Sequence, residues 1–287
     1  MTMTVILWFL VGCGKPVPPA AAVEAEGAAP EAPVVAAPPP RDDLLAVTWV
    51  QTSAELDALT RTVYRAAHHS LDRALADPTW TAALEQTGAL DGLQPAIVVD
   101  VDETVLDNSP YQARGVLDGT HFEKVSWGAW VAESQAPAVA GAAEFLSAAK
   151  AKGVDVFYVS NRSIDQEEPT RANLAAAGFP DTDDLEHFFF RPAEGDRSKT
   201  TRRRTIEATH RIVLMFGDNL FDFVEPEAPD RAARAELVDA HADWWGVRWF
   251  MLPNPMYGSW DDVLHGYEHP DAGTKHEQRR EALDPMR

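Results

Sequence analysis

Cysteine is almost absent from this chain: Cys13 is the single one in 287 residues. A lone thiol excludes an internal disulfide framework. Basic residues are also scarce, 25 Lys and Arg against 45 Asp and Glu, for a formal net charge of -20. Nucleic-acid polymers are held mainly through their phosphate charge, so this balance argues against one as a partner. Nor does the overall field draw anions in, so any anion site must be made positive locally, by a metal or a few basic side chains. The apolar run near the start, Val5 to Val11, is far too short to span a bilayer. What is present is ordinary: 45% hydrophobic and 24% charged residues, enough for one or two domains with a sizeable core.

The short apolar run has the length of a signal-peptide core. It leads into Leu10-Val11-Gly12-Cys13, apolar then small then Cys, which resembles the lipobox of bacterial lipoproteins. That resemblance implies a signal peptide over 1–13 and lipidation of Cys13. Its acyl chains would anchor the chain at the bacterial cell envelope, on the outer membrane or its periplasmic face. Met1-Thr2-Met3-Thr4 carries no Lys or Arg, unlike the usual leader. The alternative is a structureless N-terminus with an inert thiol. Residues 14–43 form a Pro- and Ala-rich spacer that cannot pack a core.

From Leu44 the pattern becomes globular. Trp49 to Leu75 carries apolar residues at helical spacing, with Thr52 or Ser53 before Glu55 as a start signal. A second helical stretch is expected to run to about Thr87. Short apolar runs at Ala96–Val99, Val154–Val159, His187–Phe190, Ile212–Phe216 and Val247–Leu252 read as buried strands. Helical stretches lie between them, at Ala138–Lys152, Pro169–Ala177 and Arg231–Trp245, each followed by Gly. Alternating strands and helices predict an α/β fold, a parallel sheet with helices on both faces. Ligands bind at the carboxyl ends of such strands.

The strand ends carry the chemistry. Asp100 and Asp102 follow the first strand, two apart, so both can face one pocket. Such a pair favours a hard cation with oxygen ligands. Ser160, Asn161 and Arg162 follow the second strand and can donate to phosphate oxygens. Lys199 lies near the helix after the third strand and can place a point charge there. Arg202, Arg203 and Arg204 beside it are expected to form a solvated helix face. Asp218 and Asp222 follow the fourth strand, and Asp218 is a further candidate metal ligand. Singly these are weak signals; their order is not.

Acid pair, hydroxyl, lysine and acid, in that order at strand ends, resemble the four motifs of the haloacid dehalogenase (HAD) superfamily. Asp100-Val-Asp-Glu-Thr-Val-Leu-Asp-Asn-Ser-Pro-Tyr111, Val156-Phe-Tyr-Val-Ser-Asn-Arg162, Gly217-Asp-Asn-Leu-Phe-Asp-Phe223 and Met251-Leu-Pro-Asn-Pro-Met-Tyr-Gly-Ser-Trp260 are similar to the class C acid phosphatases, bacterial lipoprotein 5′-nucleotidases. The similarity runs from about Thr48 to Tyr267. It implies a HAD-like Rossmannoid domain over 44–272, with a smaller helical cap-like part at 44–92 and about 108–136, and a charged tail at 273–287. It further implies a phosphoric monoester hydrolase with Asp100 as nucleophile and Asp102 as general acid and base. Mg²⁺ would be held by Asp100, Asp218 and the backbone carbonyl of Asp102. Ser160, Asn161 and Lys199 would hold the phosphate, with Asp222 and Arg162 behind them.

In the resembling family, aromatic rings stack on a nucleobase. Trp127 and Tyr257 are the expected stacking pair, with Trp130 and Trp260 beside them. The implied substrate is a small phosphomonoester, foremost a nucleoside 5′-monophosphate, and the chain is expected to associate with a membrane through its lipid and to form a homodimer. A broad acid phosphatase without nucleotide preference and a non-catalytic ligand-binding lipoprotein are the rival readings. A dehalogenase is disfavoured because Asp102 is present. The histidines, among them His68, His69, His265, His269 and His276, form no constellation.

Overall fold

A computed structural model describes residues 41–192, 198–225 and 229–286. The expected signal peptide, Cys13 and nearly all of the spacer lie outside the described residues. Pro39–Arg287 form one compact unit. Among the described residues no helix is long and apolar enough to cross a membrane.

Five strands build the sheet: β1 Gln94–Val99, β2 Asp155–Ser163, β3 Phe188–Arg191, β4 His210–Gly217 and β5 Trp249–Met251. Their order is β3-β2-β1-β4-β5, and every neighbouring pair is parallel. All five fall where the apolar runs predict them. The central strands are buried on both faces, because helices cover both. Alternation along β1 shows this. Ile97 and Val99 enter a core with Tyr64, Leu71, Phe145 and Leu146. Ala96 and Val98 enter a second core with Ile206, Ile212 and Trp249.

The helices are α1 Leu44–Thr52, α2 Ala54–Ala76, α3 Ser109–Asp118, α4 Lys124–Glu133, α5 Ala142–Ala151, α6 Glu167–Ala176, α7 Lys199–Glu207, α8 Arg231–Ala240, α9 Ser259–Asp262 and α10 Ala272–Glu281. Ser53 separates the first two, and its hydroxyl accepts from Leu56 N at 3.3 Å. Gly153, at φ +81°, gives α5 the left-handed exit that a side chain resists. The helical part flanking the sheet, with α1 against α3 and α4 against α6, belongs to the same compact unit.

Two expectations need correction. The second helical stretch toward Thr87 does not form. Pro78 disfavours a helical Asp77, and the segment spends its polar groups on the sheet instead. Trp80 Nε1 donates to Val213 O at 2.9 Å and Ala82 N to Ile212 O at 2.7 Å. The third long helix ends at Ala240 rather than Trp245, since Trp244 and Trp245 turn back to pack edge-on against Trp249 of β5. The charged end holds α10 from Ala272, a helix with no buried residue, which Arg279 ties to both oxygens of Asp261, at 2.8 and 2.7 Å.

Candidate active site

The site gathers at the carboxyl edge of β1, β2 and β4. Asp100 directly follows β1, and its N–H extends the ladder to Phe216 O at 3.0 Å. Asp218 directly follows β4. Asp222 closes the short turn after it and accepts from Asn219 N at 2.9 Å. Carboxylate oxygens of Asp100, Asp218 and Asp222 all lie within 4.8 Å of one another. Lys199, the first residue of α7, is buried at the same site. Its Nζ bridges Asp100 and Asp222, 2.5 Å from the latter. Gly217 leaves room for this: a Cβ there would sit 2.2 Å from Asp222 Oδ2.

Three acids facing one ammonium leave a buried excess of negative charge. Burial pushes the Asp100 carboxyl up to about 7, against the pull of Lys199 and with help from Asp222 and Asp102. Burial, then Asp222 and Asp100, raise Asp218 well above the carboxylate range. Burial opposes the Lys199 charge, but Asp100 and Asp222 outweigh it and raise its pKa. An all-oxygen donor set with unneutralised charge fits a hard divalent cation such as Mg²⁺. Asp222, expected only behind the ligands, contributes a carboxylate to this cluster.

The carboxylate of Asp102 stands in a different network. Its Oδ1 accepts from Arg162 Nε at 3.0 Å, Arg162 Nη2 at 2.8 Å and Asn108 Nδ2 at 2.9 Å. Arg162 is buried and also donates to Thr170 and Asn108. Ser160 is fully buried in the second half of β2, its Oγ accepting from Arg162 N at 3.1 Å. Asn161 is exposed, and its amide oxygen accepts from Arg202 Nη2 at 2.6 Å.

The solvated arginine face expected at 202–204 is corrected for two of its three members. Arg202 is buried and donates to Ser160 O at 2.5 Å and Phe189 O at 3.2 Å. Arg203 is 1% exposed, pairs with Glu85 at 2.5 Å and donates to Asp222 O at 2.8 Å. Both tie α7 to the strand-end loops that carry the site. Only Arg204 faces solvent.

The two expected stacking rings border the first motif from distant parts of the chain. Trp127 lies over the Arg162 guanidinium at 5.4 Å and meets Tyr111 edge-on at 5.2 Å. Tyr257 donates its hydroxyl to Glu103 Oε1 at 2.5 Å. Trp130 is core: it is 4% exposed and donates to Asn108 Oδ1. Glu103 was not singled out from the sequence. It is buried, holds φ +57°, and its second oxygen accepts from Asn108 N. Burial pushes its carboxyl up to about 8. Asn254 was also missed; its Nδ2 donates to Asp218 Oδ2 at 2.7 Å, and its Oδ1 accepts from Met256 N. Both lie inside quoted motifs, but Tyr257 for Glu103 and Asp218 for Asn254 are partners more than thirty residues away in sequence.

Residues 29–260 match the family described as HAD superfamily, subfamily IIIB (Acid phosphatase). The chain belongs to this family. A class C acid phosphatase from Bacillus anthracis shares 35% identity, covering 85% of this chain and 98% of its own, with a TM-score of 0.77. The same enzyme with tungstate bound matches equally. Acid phosphatase 1 of Solanum lycopersicum is 29% identical over 167 residues, 56% of this chain and 57% of its own length. A stem 31 kDa glycoprotein of Glycine max is 26% identical over 163 residues. The chain thus spans somewhat over half the length of these plant relatives, 57% and 58%. The likeness to the solved class C acid phosphatase bears out the parallel sheet with its covering helices.

Proposed function

We propose that the chain hydrolyses small phosphomonoesters in two steps through an aspartyl-phosphate on Asp100. The observation that carries this reading is the buried set of Asp100, Asp218 and Asp222 against Lys199, at the strand edge of a chain in an acid phosphatase family. Asp100 Oδ attacks phosphorus, forming the acyl-phosphate bond as the ester P–O bond breaks. Asp102 gives a proton to the departing alkoxide, then takes one from the water that attacks the acyl phosphate. Arg162 and Asn108 hold the Asp102 carboxylate in one orientation for both transfers. Lys199 and Ser160 neutralise and orient the phosphoryl oxygens. A divalent cation held by Asp100 and Asp218, Mg²⁺ by the hardness of its donors, would supply the remaining positive charge for those oxygens.

The substrate class within this reading is a nucleoside 5′-monophosphate, its base stacked by Tyr257 with Trp127 nearby. A broader specificity is the second reading, favoured by how fully Trp127 is already occupied by Tyr111, Phe122 and Arg162. Lipidation of Cys13 at the bacterial envelope and a homodimer complete the proposal; mass spectrometry of the native chain tests the lipid and sedimentation tests the dimer.

Asp100→Asn removes the nucleophile while keeping its size. It is expected to abolish phosphate release with the fold intact, and chelation of the wild type is expected to stop release until Mg²⁺ is restored. Normal turnover by Asp100→Asn would end the nucleophile assignment.

A further inference from the structure

A cavity of about 340 Å³ opens beside Asp218, lined by Asp218, Asn219, Arg234, Val238, Met251 and Trp260 among others. Its walls come from the loop after β4, the end of β5, the first turns of α8 and the start of α9. It therefore lies at the same edge of the sheet as the acid cluster and shares Asp218 with it. The volume suits one flat ring and its substituent.

Several polar groups of this cavity are hydrogen-bonded to its own walls. Asp218 accepts from Asn254. Asn219 Oδ1 accepts from Phe221 N and from the Ser259 hydroxyl. Arg234 is different. Its guanidinium is steadied over the Phe221 ring at 5.1 Å, and its Nη1 is buried with no hydrogen-bond partner among the described residues. A guanidinium N–H withdrawn from water and left without an acceptor is unfavourable, and an oxyanion satisfies it best. Trp260 supplies a flat wall. It is 44% exposed, and its Nε1 is anchored to Asn254 O and Tyr257 O, both at 3.1 Å. Val238 and Met251 give the apolar remainder.

We propose that this cavity is a leaving-group subsite for phosphomonoesters whose ring carries a second oxyanion, a carboxylate or another phosphate. Trp260 covers the ring and the Arg234 guanidinium, half-buried on the cavity wall, donates to the oxyanion, while the reacting phosphate meets Asp100. The chain's charge of -20 makes such selectivity depend on this one cation. The inference rests on the phosphatase reading and narrows its substrate class.

The test compares 4-carboxyphenyl phosphate, 1,4-phenylene bisphosphate and phenyl phosphate on wild type, Arg234→Gln and Arg234→Lys. The wild type is expected to show a KM roughly tenfold lower for each acid-bearing ester than for phenyl phosphate. Arg234→Gln brings that ratio near one, and Arg234→Lys keeps part of it. If only the carboxylate or only the second phosphate shows the ratio, that oxyanion is the one recognised. Calorimetry with 4-hydroxybenzoate, which has no phosphate, reads the cavity separately, with binding expected in wild type and lost in Arg234→Gln. A wild-type ratio near one with normal turnover overturns the subsite and leaves the phosphatase standing. So does a ratio that survives Arg234→Gln. Hydroxybenzoate binding without hydrolysis of any ester overturns the phosphatase instead. Should Arg234→Gln fail to fold, the wild-type ratio alone decides.

Discussion

At the scale of single residues, the side chains in contact with the first motif are themselves held by others. Tyr257 shows the consequence. Its hydroxyl is spent on Glu103, so only its ring is left to meet a substrate. Glu103 in turn sits at φ +57°, where a long side chain is disfavoured, and its two hydrogen bonds compensate for that strain. Tyr257→Phe keeps the ring and removes the tether. We expect a loss of about 1–3 kcal/mol in urea unfolding, because a buried carboxyl oxygen loses its partner. Tyr257→Ala removes the ring as well. Its kcat/KM on a nucleoside monophosphate is expected to fall about tenfold further than on p-nitrophenyl phosphate, consistent with a stacking contribution of about 1–3 kcal/mol. Equal losses on both esters would exclude base stacking by this ring.

At the scale of elements, each functional group rides on a strand end or a helix start. The two acids after β1 have different partners: Asp100 joins the acid cluster while Asp102 accepts from Arg162 near the end of β2. Arg162 and Asn108 give the second carboxylate three hydrogen bonds, while it stays close enough to Asp100 to help raise that carboxyl. The end of β4 is the tightest point. Gly217→Ala would drive Asp222 away from Lys199, since no rotamer places a Cβ 2.2 Å from a carboxylate oxygen. We expect kcat to drop at least tenfold and stability to fall by about 1–3 kcal/mol, the usual range for overpacking. Thermal melting and initial rates measured on the same preparation check both. Unchanged rates would mean that the Asp222–Lys199 contact does not matter to turnover.

At the scale of the whole molecule, the two ends of the described chain are fastened together. Arg279 on α10 donates to Asp261 on α9 and to Asp42 just before α1. Burial raises the Asp261 carboxyl, but the hydrogen bonds and charge of Arg279 outweigh it and hold it below the usual range. Asp42 is lowered in the same way by His276 and Arg279 against a smaller degree of burial. Depressed carboxylates stabilise the fold above the unfolded value of about 3.9 and lose that stabilisation as pH falls through the lower folded value. Arg279→Ala is therefore expected to cost about 1 kcal/mol at pH 6 and much less at pH 3, read from urea midpoints at both. A constant difference between the two pH values would show that the clasp acts through packing rather than charge.

The five strands were legible because buried parallel strands are continuous apolar runs, and that signal is local. The order of Asp100, Ser160, Lys199 and Asp218 along the chain was legible for the same reason, as each motif is a few residues long. The turn after Asp77 was misread because the apolar spacing of Trp80, Ala82 and Ala83 serves sheet edge and helix alike. Arg202 and Arg203 were misread because charge predicts exposure unless partners from elsewhere are known. Their partners are Ser160 and Asn161 in β2, Phe189 in β3, and Glu85 and Asp222 elsewhere in the chain.

The sequence by itself determined the strand pattern, the family motifs and the acids available for chemistry, since these depend on neighbours within a few positions. Only the tertiary structure decided which carboxylates meet, that Asp102 pairs with Arg162, that Glu103 holds Tyr257, and that Arg234 is left facing a cavity. Those outcomes depend on contacts between residues far apart in the chain, and burial strengthens each of them by removing competing water.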